Sequence, residues 1–193
     1  MGAIYYIPNI LGYGRIVLAA PAWYAAVTGS HMALAAIIAF CLVSDFLDGF
    51  VARLLGIASS AGAKLDSTAD NILIVSALPW TWFVAPDLFR QHLLATAGLG
   101  LLMAAVFSVM LVKHRRVVEI HTNAAKLGVT TMWIFLIHAC MFGYSSVLGA
   151  LFLLTSYLYL GEDLILLVLR RDLDEHERGF LFPRLIAAGR RRQ

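Results

Sequence analysis

The chain has 193 residues, 61% of them hydrophobic and 14% charged, with a formal net charge of +3. Soluble domains are about 45–50% apolar and about 25% charged, so a water-soluble protein is excluded and an integral membrane protein is expected. The cations are few and lie close to apolar runs, which argues against a nucleic-acid partner and for contact with anionic lipid headgroups.

Cys41 and Cys140 each lie inside an apolar run and read as small buried hydrophobes, not as a disulfide or a zinc site. The start, "MGAIYYIPNIL", has no basic segment followed by a cleavage site, so no secretory signal is expected.

A spanning helix needs about 20 mostly apolar residues. Six segments meet this, at 9–28, 31–54, 61–84, 88–112, 122–143 and 146–169. The joints carry turn residues: Gly29-Ser30, Gly56 with Ser59-Ser60, Pro86-Asp87, the basic stretch after Lys113, and Gly143 to Ser146. The expected fold is all-α, a bundle of six transmembrane helices with a cytoplasm-facing polar cavity. Residues 1–170 would form one catalytic domain. Residues 171–193 would be a basic tail, either interfacial or frayed.

The positive-inside rule orients the chain. Lys113, Arg115 and Arg116 belong on the cytoplasmic side, with Arg170, Arg171, Arg53 and Lys64. Both termini are then cytoplasmic, and the expected location is the cell inner membrane.

The second and third segments carry Asp45, Asp48, Asp66 and Asp70. On insertion scales Asp45, Asp48 and Arg53 together would cost about 8–10 kcal/mol at the bilayer centre, whereas each large apolar residue returns only about 0.3–0.6 kcal/mol. These groups must therefore face the bundle interior, near the cytoplasmic end. Asp45 and Asp48 are spaced i,i+3 and Asp66 and Asp70 i,i+4, so each pair shares a helix face. The short joint makes the two helices antiparallel neighbours, so all four carboxylates can converge. A hard divalent cation with oxygen ligands, Mg²⁺ or Mn²⁺, would neutralise them and leave positions for phosphate oxygens. Arg53 is a natural phosphate clamp. Gly49, Ala52 and Gly62 either admit a ligand close to the backbone or pack helices.

The pattern Asp45-x-x-Asp48-Gly49-x-x-Ala52-Arg53, eight residues, then Gly62-x-x-x-Asp66-x-x-x-Asp70 resembles the signature of the CDP-alcohol phosphotransferases, matching at all eight positions. That family also has six spans, with the signature across the second and third. The resemblance implies transfer of a phosphatidyl or similar group from a CDP-linked donor to a polar alcohol, releasing CMP. It implies that Asp45, Asp48 and Asp66 hold one or two metals on the donor pyrophosphate. Asp70 would be the base that takes the acceptor's proton and a ligand of the second metal. Gly49, Ala52, Arg53 and Gly62 would cradle the CDP moiety. It also implies a homodimer. Pro8, Asn9, Ile10, Leu11 and Arg15 resemble the family's PNxxTxxR opening, which adds Asn9 to the nucleotide-binding set; Gly12 stands where threonine is usual. Arg15 reads either as part of that opening or as a snorkelling headgroup anchor.

Inositol, inositol phosphate, glycerol 3-phosphate, serine and choline remain open as acceptors. A phosphorylated acceptor needs cations, and Lys126, Arg115, Arg116, Arg170 and Arg171 either serve it or anchor the chain. His121, Asn123, Thr130 and Thr131 are further polar contacts. His138 reads as a satisfied bundle histidine, and Trp80, Trp82 and Tyr157 as interfacial aromatics. The rival functions are an intramembrane prenyltransferase, which lacks a place for the Gly-x-x-Ala-Arg insert, and a carboxylate-lined ion transporter, which would show repeated halves.

Overall fold

The computed structural model describes residues 7–55, 60–115 and 122–169, excluding the side chains of 7–11, 48–55, 60, 61, 63, 64, 66 and 114. Seven α-helices run through these residues: α1 Ile7–Val27, α2 His31–Leu55, α3 Ser60–Val84, α4 Pro86–Gln91, α5 Leu93–Val109, α6 Asn123–Phe142 and α7 Ser146–Leu169. The all-α expectation holds. Among the described residues, three stretches are long and apolar enough to cross a membrane: Leu93–Lys113, Asn123–Phe142 and Ser146–Leu169. In α2 the described apolar stretch is His31–Leu47, and it includes Asp45.

The expected fourth span is divided. α4 is a six-residue helix, a bend follows at His92, and α5 starts at Leu93. Thr96, in the first turn of α5, folds its hydroxyl back onto the helix and donates to the carbonyls of His92 and Leu93. At its other end α5 widens into a π-helical turn, Met110–His114, which stops at Arg115 with φ 53°.

The described residues form two compact units, one within Met1–Gln91 and Trp133–Ser145, the other within His92–Met132 and Ser146–Gln193. In the first unit, α1 ends in a Schellman turn. Gly29 takes φ +73°, its N–H donates to Ala26 O, and the N–H of Ser30 donates to Ala25 O. The chain reverses there, so α2 packs antiparallel on α1. α3 also packs on α1 and runs in the same direction, because the contacts advance together along both helices. Gly12 meets Leu65, Arg15 meets Asp70, and Trp23 meets Ser76 and Trp80. Trp80 is therefore no interfacial aromatic: it is fully buried, edge-on to Trp23, with ring centroids 6.0 Å apart. Trp82 stays exposed. Gly143, at φ +86°, ends α6 beside Tyr144, whose ring meets Phe135 edge-on and whose hydroxyl donates to Gln91 Oε1. His138 packs on Phe142, but its Nδ1 is buried with no hydrogen-bond partner among the described residues, so the expected satisfied histidine is not found.

In the second unit, α5 packs on α7. Tyr157 donates its hydroxyl to Ala95 O at 2.7 Å, a part-buried bond that ties α7 to α5. Gly128 lets α6 approach α7 closely: a Cβ there would lie 2.9 Å from Tyr159 Cβ and 3.3 Å from the Thr155 carbonyl. One helical turn on, the buried hydroxyls of Thr131 and Thr155 bond each other at 2.5 Å. Thr131 is thus committed to helix packing and is not an open contact for an acceptor. Lys113 reaches the end of α7, donating to Leu167 O at 2.8 Å and Val168 O at 2.7 Å.

Candidate active site

A guanidinium in an apolar bundle must be paired, since an uncompensated buried charge costs several kcal/mol. Arg15 on α1 is 1% exposed, and one of its terminal nitrogens, Nη1, donates both to Asp45 Oδ1 of α2 at 2.7 Å and to Asp70 Oδ1 of α3 at 2.9 Å. Both are short, charge-assisted bonds. The headgroup-anchor reading of Arg15 is therefore corrected: it is an interior cation joining three helices.

Local sequence builds this junction. Arg15 follows Gly12 by one helical turn, so both lie on the α1 face that meets α3. The missing side chain at Gly12 brings that face against Leu65, where a Cβ would come within 2.9 Å of Leu65 Cδ2. The position that holds threonine in the resembling pattern is thus a close-packing position in this chain.

The two carboxylates are not buried with their arginine. Asp45 keeps 42% and Asp70 39% of its side-chain surface exposed. The arginine binds them from the interior, and each still presents a face outward. Their oxygens are within two hydrogen-bond lengths of each other, since both bond one nitrogen. Two carboxylates on adjacent helices, brought together and open on one side, fit a hard divalent cation by donor chemistry.

Asp48 lies one turn beyond Asp45 on α2, and Asp66 one turn before Asp70 on α3, so the helices bring both near the same junction. The side chains of Asp48, Gly49, Ala52, Arg53, Asp66 and Asn9 lie outside the described residues, although their helical positions are given. Gly62 is part-buried on α3, one turn before Asp66. Among the described residues there is no cluster of three metal-ligating side chains. Of the acceptor candidates, Lys126 is exposed in the first turns of α6, and Arg115 is exposed at the end of the π turn. Arg116, Arg170 and Arg171 lie outside the described residues.

Sequence reasoning missed a second acidic pair. Glu162 and Asp163 in α7 are 1% and 2% exposed, and Asp163 Oδ1 has no hydrogen-bond partner among the described residues. The signal was present, because the insertion cost that singled out the four aspartates applies equally to a Glu-Asp pair in the last span.

The family model described as CDP-alcohol phosphatidyltransferase matches residues 5–160, and the chain belongs to that family. A provisionally named cardiolipin synthase of Mycobacterium tuberculosis is 38% identical over 100 residues, covering 46% of this chain and 47% of that protein. The CDP-diacylglycerol–glycerol-3-phosphate 3-phosphatidyltransferase of Aquifex aeolicus is 32% identical over 78 residues, 40% of this chain and 44% of its own. The like-named protein of Pseudomonas fluorescens is 35% identical over 75 residues, 37% and 38% of the two chains. The chain spans about half the length, or less, of the curated relatives it matches. No solved structure matches.

Proposed function

We propose that the protein transfers a phosphatidyl group from a CDP-linked donor such as CDP-diacylglycerol to a polar alcohol, releasing CMP. The observation that carries this is the junction at Arg15, which joins the first and last aspartates of the signature, from two helices, into one outward-facing acidic site. Asp45, Asp48 and Asp66, with Asp70, would hold one or two Mg²⁺ or Mn²⁺ ions. When bound, the metal supplies charge stabilisation on the donor pyrophosphate.

The chain's own residues do the rest. Asp70 accepts the proton of the acceptor hydroxyl as it attacks phosphorus. Gly49, Ala52 and Gly62, without bulk, admit the CDP moiety to the backbone, while Arg53 and Asn9 bind its polar groups. Lys126, Arg115, Arg116 and Arg170 offer charge to a phosphorylated acceptor. Two relatives are named for transfer to glycerol 3-phosphate, which supports testing that acceptor first. The third relative is named a cardiolipin synthase, and we add phosphatidylglycerol to the acceptors because phosphatidylation of that alcohol gives a cardiolipin.

The wider setting belongs to the same proposal: six spans over residues 1–170, a cytoplasm-facing cavity, both termini inside, a basic tail at 171–193, and a homodimer in the inner membrane. Family membership favours this reading over a prenyltransferase or an ion transporter.

The test is transfer of label from CDP-diacylglycerol by the purified protein in Mg²⁺ or Mn²⁺. The acceptor panel is glycerol 3-phosphate, phosphatidylglycerol, inositol, inositol phosphate, serine and choline. Metal-dependent CMP release with one acceptor is expected. No CMP release with any of them would overturn the proposal.

A further inference from the structure

We propose that Arg15 is the site's resident counter-cation: it binds the carboxylates of Asp45 and Asp70 from the buried side, shares them with the divalent ion that enters from the open side, and so weakens that ion's binding. This rests on the metal reading above and adds a positioning residue to it.

Three observations converge. Arg15 is 1% exposed whereas its two partners are 42% and 39% exposed, so the arginine and any incoming ion approach the acids from opposite sides. A guanidinium that needed pairing alone could be satisfied by one carboxylate, yet one nitrogen here bridges two, on different helices. Those two are the outermost acids of the four-aspartate pattern, so the bridge spans the whole signature.

The consequence is electrostatic. Like-charged carboxylates this close repel, and the fixed positive charge offsets that repulsion. The same charge opposes a divalent ion a few ångströms away. In a well-solvated site, that opposition is worth about tenfold in affinity. Arg15 thus keeps the acids in register across the catalytic cycle and prevents the metal from binding too tightly for exchange.

The experiment uses the full chain in detergent or nanodiscs, with Mn²⁺ titrated and followed by the unfolding temperature and by the electron paramagnetic resonance signal of free Mn²⁺. The expected result is that R15Q unfolds at a lower temperature than wild type without Mn²⁺ and recovers more on adding it. Its Mn²⁺ Kd should be about tenfold tighter. R15K, which keeps the charge, should hold the wild-type Kd. A Kd for R15Q equal to or weaker than wild type would overturn the proposal, as would an R15Q protein that collapses with Mn²⁺ as it does without. Absence of saturable Mn²⁺ binding in wild type and R15Q alike would remove the metal reading itself, a different failure from either of these.

Discussion

Asp70 carries two duties, as a partner of Arg15 and as the proposed base. Asp70→Asn keeps an oxygen that can accept the Arg15 bond but loses the proton affinity. It is expected to lower turnover by about 10²–10⁴-fold while leaving Mn²⁺-dependent CDP binding in place, as measured by CMP release beside calorimetric titration of CDP. Asp163 poses the opposite case, a buried carboxylate oxygen with no partner among the described residues. Asp163→Leu, which removes the orphaned oxygen in a side chain of similar shape, is expected to raise the stability of the second unit by about 1–3 kcal/mol, read as a higher unfolding temperature at unchanged Mn²⁺ affinity. The signature aspartates were legible in the sequence because their cost in a bilayer demands a reason. Arg15 was ambiguous, because an arginine in an apolar run either snorkels to water or meets an interior acid, and only the α1 face that packs on α3 decides. Glu162 and Asp163 obeyed the legible rule and were hidden only by the leucines around them.

At the scale of the helix, Gly128 and Lys113 fix α7. Gly128→Val would force branched carbons against Tyr159 and the Thr155 backbone, and is expected to destabilise by about 1–3 kcal/mol. Thermal unfolding would show this, and Gly100→Val, where no atom lies within 4 Å of a Cβ, is the control. Lys113→Met would remove the cation from the carbonyls of Leu167 and Val168 and is expected to cost up to about 2 kcal/mol; faster amide exchange in the last turn of α7 is the readout. The joints at Gly29 and Gly143 were legible, since glycine alone takes their positive φ without strain. The bend at His92 and the π turn before Arg115 were not. Hydropathy averages over a window and is blind to a one-residue break within an apolar run.

For the whole molecule, the all-helical class followed from composition, whereas the number of spans did not. Length and apolarity qualify three stretches among the described residues, and of the other spans of the proposed six only the second and third carry the charged signature. The proposed orientation makes a direct prediction. A cysteine placed at Asp87 should react with a membrane-impermeant maleimide from outside the cell, and one at Arg115 only after the membrane is opened. The native Cys41 and Cys140 are buried and should stay silent. The reverse labelling pattern would invert the topology.

Gly12 sets a tolerance for chemistry it never touches. With hydrogen as its side chain, it acts as the thinnest available spacer between two parallel rods, and Arg15 sits only one turn along from that pinch point. A bulkier residue meets the Leu65 side chain first, and where Leu65 does not turn aside it works as a wedge, prising the rods apart just where a fixed-length arm must span the gap. Gly12→Thr, which restores the commoner residue, should therefore lengthen the arginine's reach to Asp70 and shift the metal response in the direction of Arg15→Gln, without altering a single acid. A matched Leu65→Ala change should close the gap again.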